Sequence, residues 1–402
     1  MINASASGWI DKFFIDQNTS TEPVINSPVI ESPDNFYKRI RKTGFVYGHI
    51  VSFDTRQTID TKGWISEEIS KVALLNALYS TFEMITQEVD SKKFIEITLS
   101  FYKKIHPETF NLLKKILPED NASQGLEKLI SERVKTNENI VSKNFSHIVT
   151  NALLFEDILA FKHYLQHEEI AENYLKKLEE AIVSVVSLAL KTKSNPTKYD
   201  ELLTKMFEAS VRFTKFSTVN VQNLEGLKLD YFTSILERYY LIDMACLAMW
   251  SDEKIEQNEE TFLYELAKVL KVSASFVSES IISTDAFIVE NKKEIPYFNY
   301  SNPVKHFYDQ ATQTVVVLIS RNKNRLVKEL SQSRELLVLL AQSTQRDLDE
   351  KEKKKVKKQL LDICKTIPSL TIFLLPGGSL LLPILIKFIP KLLPSAFNEN
   401  LE

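Results

Sequence analysis

Apolar residues recur at helical spacing along most of the chain. The pattern first becomes regular after Ser66, a residue type that caps helices, followed by acids in the first turn and by a stripe of Ile69, Val72, Leu75 and Tyr79. It continues to about residue 190, and its amphipathic segment 145–165 carries Phe145, Ile148, Ala152, Phe155, Leu159 and Tyr164. The pattern predicts an all-α protein made of helical bundles.

Breaks in this periodicity divide the chain into five regions. Proline-rich and polar stretches mark the boundaries, because they interrupt helices. The predicted regions are an N-terminal helix and flexible linker at 1–35, helical domains at 36–190 and 200–295, a helical connector with a basic helix at 303–366, and a membrane segment at 367–397.

The N-terminal region and the connector each contain a pattern that predicts short helices. Aromatic and apolar residues near the start predict a short amphipathic docking helix, and no basic region precedes them, so they do not form a signal peptide. Leucines in the connector lie near heptad spacing over too few turns for a coiled coil, and predict an antiparallel helical pair. These residues are Trp9, Ile10, Phe13 and Phe14 at the start, and Leu326, Leu330, Leu337 and Leu340 in the connector.

The amino-acid composition supports the helical prediction and argues against some classes of function. Only 8 of 402 residues are glycine, while 44% are hydrophobic, which favours helix over tightly turned sheet. The formal net charge of −3 lacks the basic excess of a dedicated nucleic-acid binder. Cys246 and Cys364 lie far apart and are predicted to be reduced, which suits a cytoplasmic compartment.

The basic helix has the clearest local signature. Asp349 and Glu352 are spaced as a capping box, and both acids favour the positive end of the helix dipole. Six lysines crowd residues 351–358, while one face is apolar through Val356, Leu360, Ile363 and Ile367.

The membrane segment follows directly. Lys387 and Lys391 are its only charges, and its first 27 residues would extend roughly 40 Å as helix, against a hydrocarbon core of about 30 Å. Internal prolines require a kink or break, so a bent crossing and a re-entrant hairpin both remain open, with a buried core helix as the alternative. The prolines are Pro368, Pro376, Pro383, Pro390 and Pro394.

This C-terminal pattern resembles the LETM family, the leucine-zipper and EF-hand-containing transmembrane proteins of the mitochondrial inner membrane. The matching positions are Leu348, Asp349, Glu352, the lysine run, Asp362, the five prolines, Lys387, Leu393, Ser395 and Phe397. The resemblance implies a role in membrane cation or proton homeostasis, as participant or partner. The whole chain is also similar to bacterial LETM-related proteins labelled biofilm-associated, which implies a bacterial inner membrane with the bulk of the chain cytoplasmic.

Two departures from the family favour a tether over a transporter. Gly377, Gly378 and Ser379 stand where the family places bulky apolar residues and an acid, and an ionisable residue at membrane depth is the usual candidate for ion coupling. The family also continues into a ribosome-binding-like domain, whereas this sequence stops at Glu402. The alternative function is therefore a membrane-tethered scaffold without transport activity, which includes a ribosome-associated form.

Residues 241–270 resemble the repeating helical unit of TerB-like domains. Asp252, Ile255 and Glu259 occupy the matching positions, with Asp243 one helix earlier. The resemblance implies that Asp252 and Glu259 approach each other and bind a divalent cation through oxygen ligands. The alternative is a capped helix-turn-helix with solvated acids, since Glu253 replaces the family's glycine.

No motif indicates catalysis. His163 and His167 lie one helical turn apart without a third ligand and are predicted to face solvent. Gly44 and Gly48 lie among charged residues, which is not typical of a membrane packing motif. We expect a non-enzymatic protein without a bound cofactor. The expected partners are membrane lipid and either a protein partner or a second copy of the chain, and no nucleic acid.

Overall fold

The described part of the chain is helical throughout. A computed structural model describes residues 2–18, 31–105, 121–134, 151–193, 223–250, 255–291, 322–343, 346–367 and 382–389, together with 312, 315–316, 319–320 and 370. Within these ranges it contains helices, turns and no strand, so the all-α prediction is confirmed. Phe145, Ile148 and the residues of the linker from 19 to 30 lie outside the described residues.

The chain folds into two units. The first contains Met1–Thr136, His147–Pro196 and Val211–Asn299. Its helices are α1 (Trp9–Asn18), α2 (Pro33–Lys42), α3 (Ser66–Thr86), α4 (Ser91–Ile105), α5 (Ala122–Val134), α6 (Phe155–His167), α7 (Tyr174–Lys191), α8 (Ile235–Met249), α9 (Gln257–Leu270) and α10 (Ala274–Asn291).

Two central helices organise the first unit. Helix α3 packs against α4, α5 and α6, and its Leu74, Leu78 and Phe82 are fully buried. Helix α8 packs against α2, α7, α9 and α10. Both helices are buried on nearly every side, so neither is amphipathic. The helix at α3 begins at Ser66 as its first residue, with the Ile65 N–H held by the Glu68 carboxylate at 3.0 Å.

The N-terminal helix α1 packs into the same unit. Its Trp9, Ile10 and Phe13 are buried, and it contacts α5. The Glu127 carboxylate of α5 accepts the backbone N–H groups of Gly8 and Ile10, both at 3.1 Å. These N–H groups at a helix start have no intrahelical acceptor, so Glu127 caps α1 from a neighbouring helix.

A glycine-dependent turn follows α2. The loop buries Phe45 and Tyr47, and it closes through hydrogen bonds from the Tyr47 and His49 N–H groups to the Gly44 carbonyl at 3.0 and 3.2 Å. Gly44 has a φ of +82°, and a Cβ there would collide with the His49 carbonyl oxygen. The Gly44-x-x-x-Gly48 spacing therefore builds a buried turn.

The second unit contains Asn137–Ser146, Thr197–Ser210 and Tyr300–Glu402. Its helices are α11 (Lys323–Ser331), α12 (Arg334–Gln342), α13 (Glu350–Thr366) and α14 (Leu382–Phe388). Helices α11 and α12 contact each other and α13. The helical backbone is interrupted between α11 and α12, and Ser333 caps the start of α12. The Ser333 Oγ accepts the Leu336 N–H at 3.4 Å and donates to Gln359 of α13 at 3.2 Å. The four leucines near heptad spacing thus lie on two short helices, Leu326 and Leu330 on α11 and Leu337 and Leu340 on α12.

We expect Gly44→Ala to destabilise the first unit by several kcal/mol. A left-handed φ costs an L-residue roughly 1–2 kcal/mol, and the collision with the His49 backbone adds to it. Gly63→Ala is the matched control, because Gly63 has a φ of +85° but open space around its Cα, and should show only the first cost. Urea unfolding of both variants measures the difference. Equal losses of stability would contradict the steric explanation.

Candidate functional site

Helix α13 begins with the predicted capping box. The Asp349 carboxylate accepts the Glu352 N–H at 2.8 Å, and the Glu352 carboxylate accepts the Asp349 N–H at 2.9 Å. Arg346 donates twice to Glu352, at 2.7 and 2.8 Å. These bonds, first that of Arg346 and then that of the Asp349 backbone, lower the pKa of Glu352 to about 2. The start of α13 is therefore fixed by local charge and hydrogen bonding.

The two faces of α13 differ sharply in character. Its apolar side chains are buried, and they comprise Val356, Leu360, Ile363 and Cys364. Its lysines are exposed. Some of them meet carboxylates: Lys355 pairs with Glu335 of α12, and Lys365 approaches Asp362 at 2.7 Å. The helix is therefore held against its own unit by one face and presents positive charge on the other.

The predicted membrane segment is only partly described. Pro383 lies in the first turn of α14, where its missing N–H has no intrahelical partner to lose. Leu385 and Ile389 are buried and Lys387 is exposed. Pro368, Pro376, Pro390 and Pro394 lie outside the described residues. Among the helices that are described, none combines the length and the apolar character needed to cross a membrane.

The predicted cation site is described at one of its two residues. Asp252 lies outside the described residues, whereas Glu259 is in the first turn of α9 and only 1% exposed. One of its carboxylate oxygens accepts the Glu256 N–H at 2.7 Å, which makes it part of a helix cap. Its burial differs from the solvated acids of the alternative interpretation. The described residues contain no cluster of three or more potential metal ligands.

Asp243, which the sequence placed one helix before that turn, lies in a buried polar cluster. Tyr37 donates to its Oδ2 at 2.8 Å, Ser280 donates to its Oδ1, and the Arg41 guanidinium lies 3.5 Å away. Arg41 also bonds to Glu279 at 2.6 Å. The cluster ties α2, α8 and α10 together. One charged residue within the apolar run 241–249 was the sequence signal for it, because a buried charge requires partners.

Burial dominates the chemistry of Asp243. Loss of solvation raises the pKa of its carboxyl to about 6, although Arg41 and the hydrogen bond from Tyr37 act in the opposite direction. The same enclosure raises the pKa of Tyr37. These groups are shielded from solvent and from substrates, so the cluster has the character of a structural tie.

The two histidines behave differently. His167 is exposed as predicted, but the prediction for His163 is wrong, since its side chain is only 25% exposed. Its Nε2 lies 2.8 Å from the Glu237 carboxylate of α8, which also accepts the Tyr174 hydroxyl at 2.7 Å. Helical periodicity could not reveal this contact, because Glu237 lies far along the sequence.

Comparison with known proteins was decisive for one part of the chain. Residues 348–402 match the family model described as LETM1-like, RBD. The LETM-like resemblance is thereby confirmed for the region that begins just before α13 and includes α14. No curated protein and no solved structure matches the chain. The TerB-like and biofilm-associated resemblances are not confirmed by these comparisons.

The raised pKa of Asp243 predicts a specific pH dependence of stability. The fold holds the proton more tightly than the unfolded chain does, so this group stabilises the fold fully below its unfolded pKa of 3.8. That contribution is lost as the pH rises through about 6, and amounts to as much as about 3 kcal/mol. Asp243→Asn should remove this part of the pH dependence, as measured by urea unfolding over a pH series.

Tyr37→Phe provides the control. It deletes a hydrogen bond that lowers the pKa of Asp243, so the loss of stability should move to higher pH. Identical pH profiles for the wild-type chain and Asp243→Asn would contradict the assignment.

Proposed function

We propose that this chain is a non-enzymatic helical protein held on a membrane by its LETM-like C-terminal segment. The observation that carries the proposal is the amphipathic helix α13, packed by its apolar face and exposing its lysines, directly before the apolar residues 367–393. Both lie within the region that matches the LETM1-like family model.

The order of these two elements has a physical meaning for a membrane protein. Lysines beside an apolar segment favour the cytoplasmic side of a bilayer, where they meet anionic headgroups. Prolines within the segment free backbone carbonyls, which require a kinked crossing or a re-entrant hairpin. The first unit, with its enclosed α3 and α8, is a globular body that such an anchor holds at the cytoplasmic surface.

The resemblance to LETM proteins implies a role in membrane cation or proton homeostasis, and we propose that this chain has such a role, as participant or partner. Two forms of that role differ in what the membrane segment does. A protein that takes part in ion transport needs polar groups at membrane depth, whereas a scaffold needs only to be attached to the membrane. Gly377, Gly378 and Ser379 replace the acid of the family, which favours the scaffold. A ribosome-associated scaffold is the variant that the RBD label of the family model supports.

Truncation tests the anchor. A chain that ends at Ile367 keeps all of α13, including its buried Leu360 and Ile363. We expect this variant to move from the membrane fraction to the soluble fraction of lysed cells, because it lacks the apolar segment. A chain that ends at Phe397 is the control and should stay with the membranes. Full-length protein that is soluble without detergent would rule out the anchor.

Proteoliposomes separate participant from scaffold. We expect the purified chain to give no potassium- or calcium-dependent proton flux above empty vesicles, since the segment offers an ion few polar partners. Lys387 is one of its two charged residues, and Lys387→Ala is the matched variant. A flux that this substitution abolishes would show that the chain takes part in transport.

A further inference from the structure

We propose that one lysine face of α13 binds the anionic headgroups of a lipid bilayer, with Lys351, Lys354 and Lys358 as the contacting residues. The inference rests on the proposed membrane attachment and adds to it a second, electrostatic contact. These lysines would make the chain prefer bilayers with anionic lipids, whereas the apolar segment alone would not distinguish neutral from anionic bilayers.

Helix geometry gathers these charges on one side. Lys351, Lys354 and Lys358 have the spacing i, i+3 and i+7, which aligns side chains along one face. That face lies opposite Val356 and Leu360, because positions two residues apart point in nearly opposite directions around a helix. Burial of the apolar face therefore fixes the lysine face outward.

The nearby carboxylates are already engaged. Glu352 pairs with Arg346, Glu350 lies 3.1 Å from Lys353, and Glu335 pairs with Lys355. Asp362, one turn after Lys358, pairs with Lys365 at 2.7 Å. Within the described ranges no carboxylate lies within 4 Å of the amines of Lys351, Lys354 and Lys358. Like charges one turn apart destabilise a helix, so the cluster lowers stability unless an external anion neutralises it.

The character of the face favours a bilayer over nucleic acid. Helix α13 contains no aromatic residue on which bases could stack. The chain as a whole has a net charge of −3. The apolar residues 367–393 follow the helix directly, which suits a surface that combines headgroups with hydrocarbon.

Vesicle flotation of the purified full-length chain tests the proposal. The vesicles are phosphatidylcholine alone, or phosphatidylcholine in which part is replaced by phosphatidylglycerol. We compare wild type with a Lys351→Gln, Lys354→Gln and Lys358→Gln triple variant, since glutamine keeps helix propensity and removes charge. Binding to anionic vesicles should weaken about a hundredfold at low salt, and this difference should shrink as salt increases.

The matched control is the Lys353→Gln, Lys355→Gln and Lys357→Gln variant. It removes the same charge from Lys353 and Lys355, which already have carboxylate partners, and from Lys357, which lies off this face beside the buried Cys364. It should lose less than about tenfold. Equal losses in both variants would overturn the assignment of the face. Equal binding of wild type and the test variant to both kinds of vesicle would overturn the inference while leaving the anchor intact. Failure of wild type to float with either kind would overturn the anchor as well.

A single-stranded RNA oligonucleotide provides the remaining comparison. Tight binding that the test variant abolishes, combined with unchanged flotation on anionic vesicles, would assign the face to nucleic acid and overturn the proposal. Circular dichroism of both variants confirms that α13 remains helical.

Discussion

The first unit depends on buried carboxylates that are satisfied across helix junctions. Each of three junctions contains a carboxylate that accepts a tyrosine hydroxyl from a neighbouring helix, at 2.7 to 2.9 Å. A second cationic or ring-nitrogen partner joins each one. The pairs are Tyr37 with Asp243, Tyr102 with Asp157, and Tyr174 with Glu237, supported by Arg41, Arg133 and His163 respectively. A buried charge is tolerated only with such partners, so these contacts specify which helices meet.

Helix α8 shows why this constraint is strict. It is enclosed by α2, α7, α9 and α10, yet it carries both Glu237 and Asp243. Removing a partner would leave an unpaired charge in a buried site, which typically costs about 3–5 kcal/mol. An all-apolar α8 could be equally stable but would lose the contacts that distinguish one neighbour from another. The second unit differs, since the lysines of α13 are exposed and their ion pairs contribute little to folding.

Local signals explain what the sequence could predict. The all-α class and the capping box of α13 followed from periodicity and residue type over a few positions. The partners of Asp243 and His163 could not be predicted, because each contact joins residues 37 and 243, or 163 and 237, that periodicity does not relate. Gly44 was similarly obscure: its spacing to Gly48 was visible, but the buried turn depends on the His49 carbonyl and the Phe287 ring.

The two cysteines give the chain one thiol in each unit. Cys246 lies in α8 and Cys364 in α13, both buried and both unpaired. Burial raises the pKa of the Cys364 thiol to about 12 and also raises that of Cys246, so neither forms a reactive thiolate while its helix stays packed. The rate at which each cysteine reacts with a maleimide therefore measures how often its surroundings open locally. Because each thiol belongs to a different unit, the two reaction rates would distinguish local opening in the first unit from local opening around the basic helix.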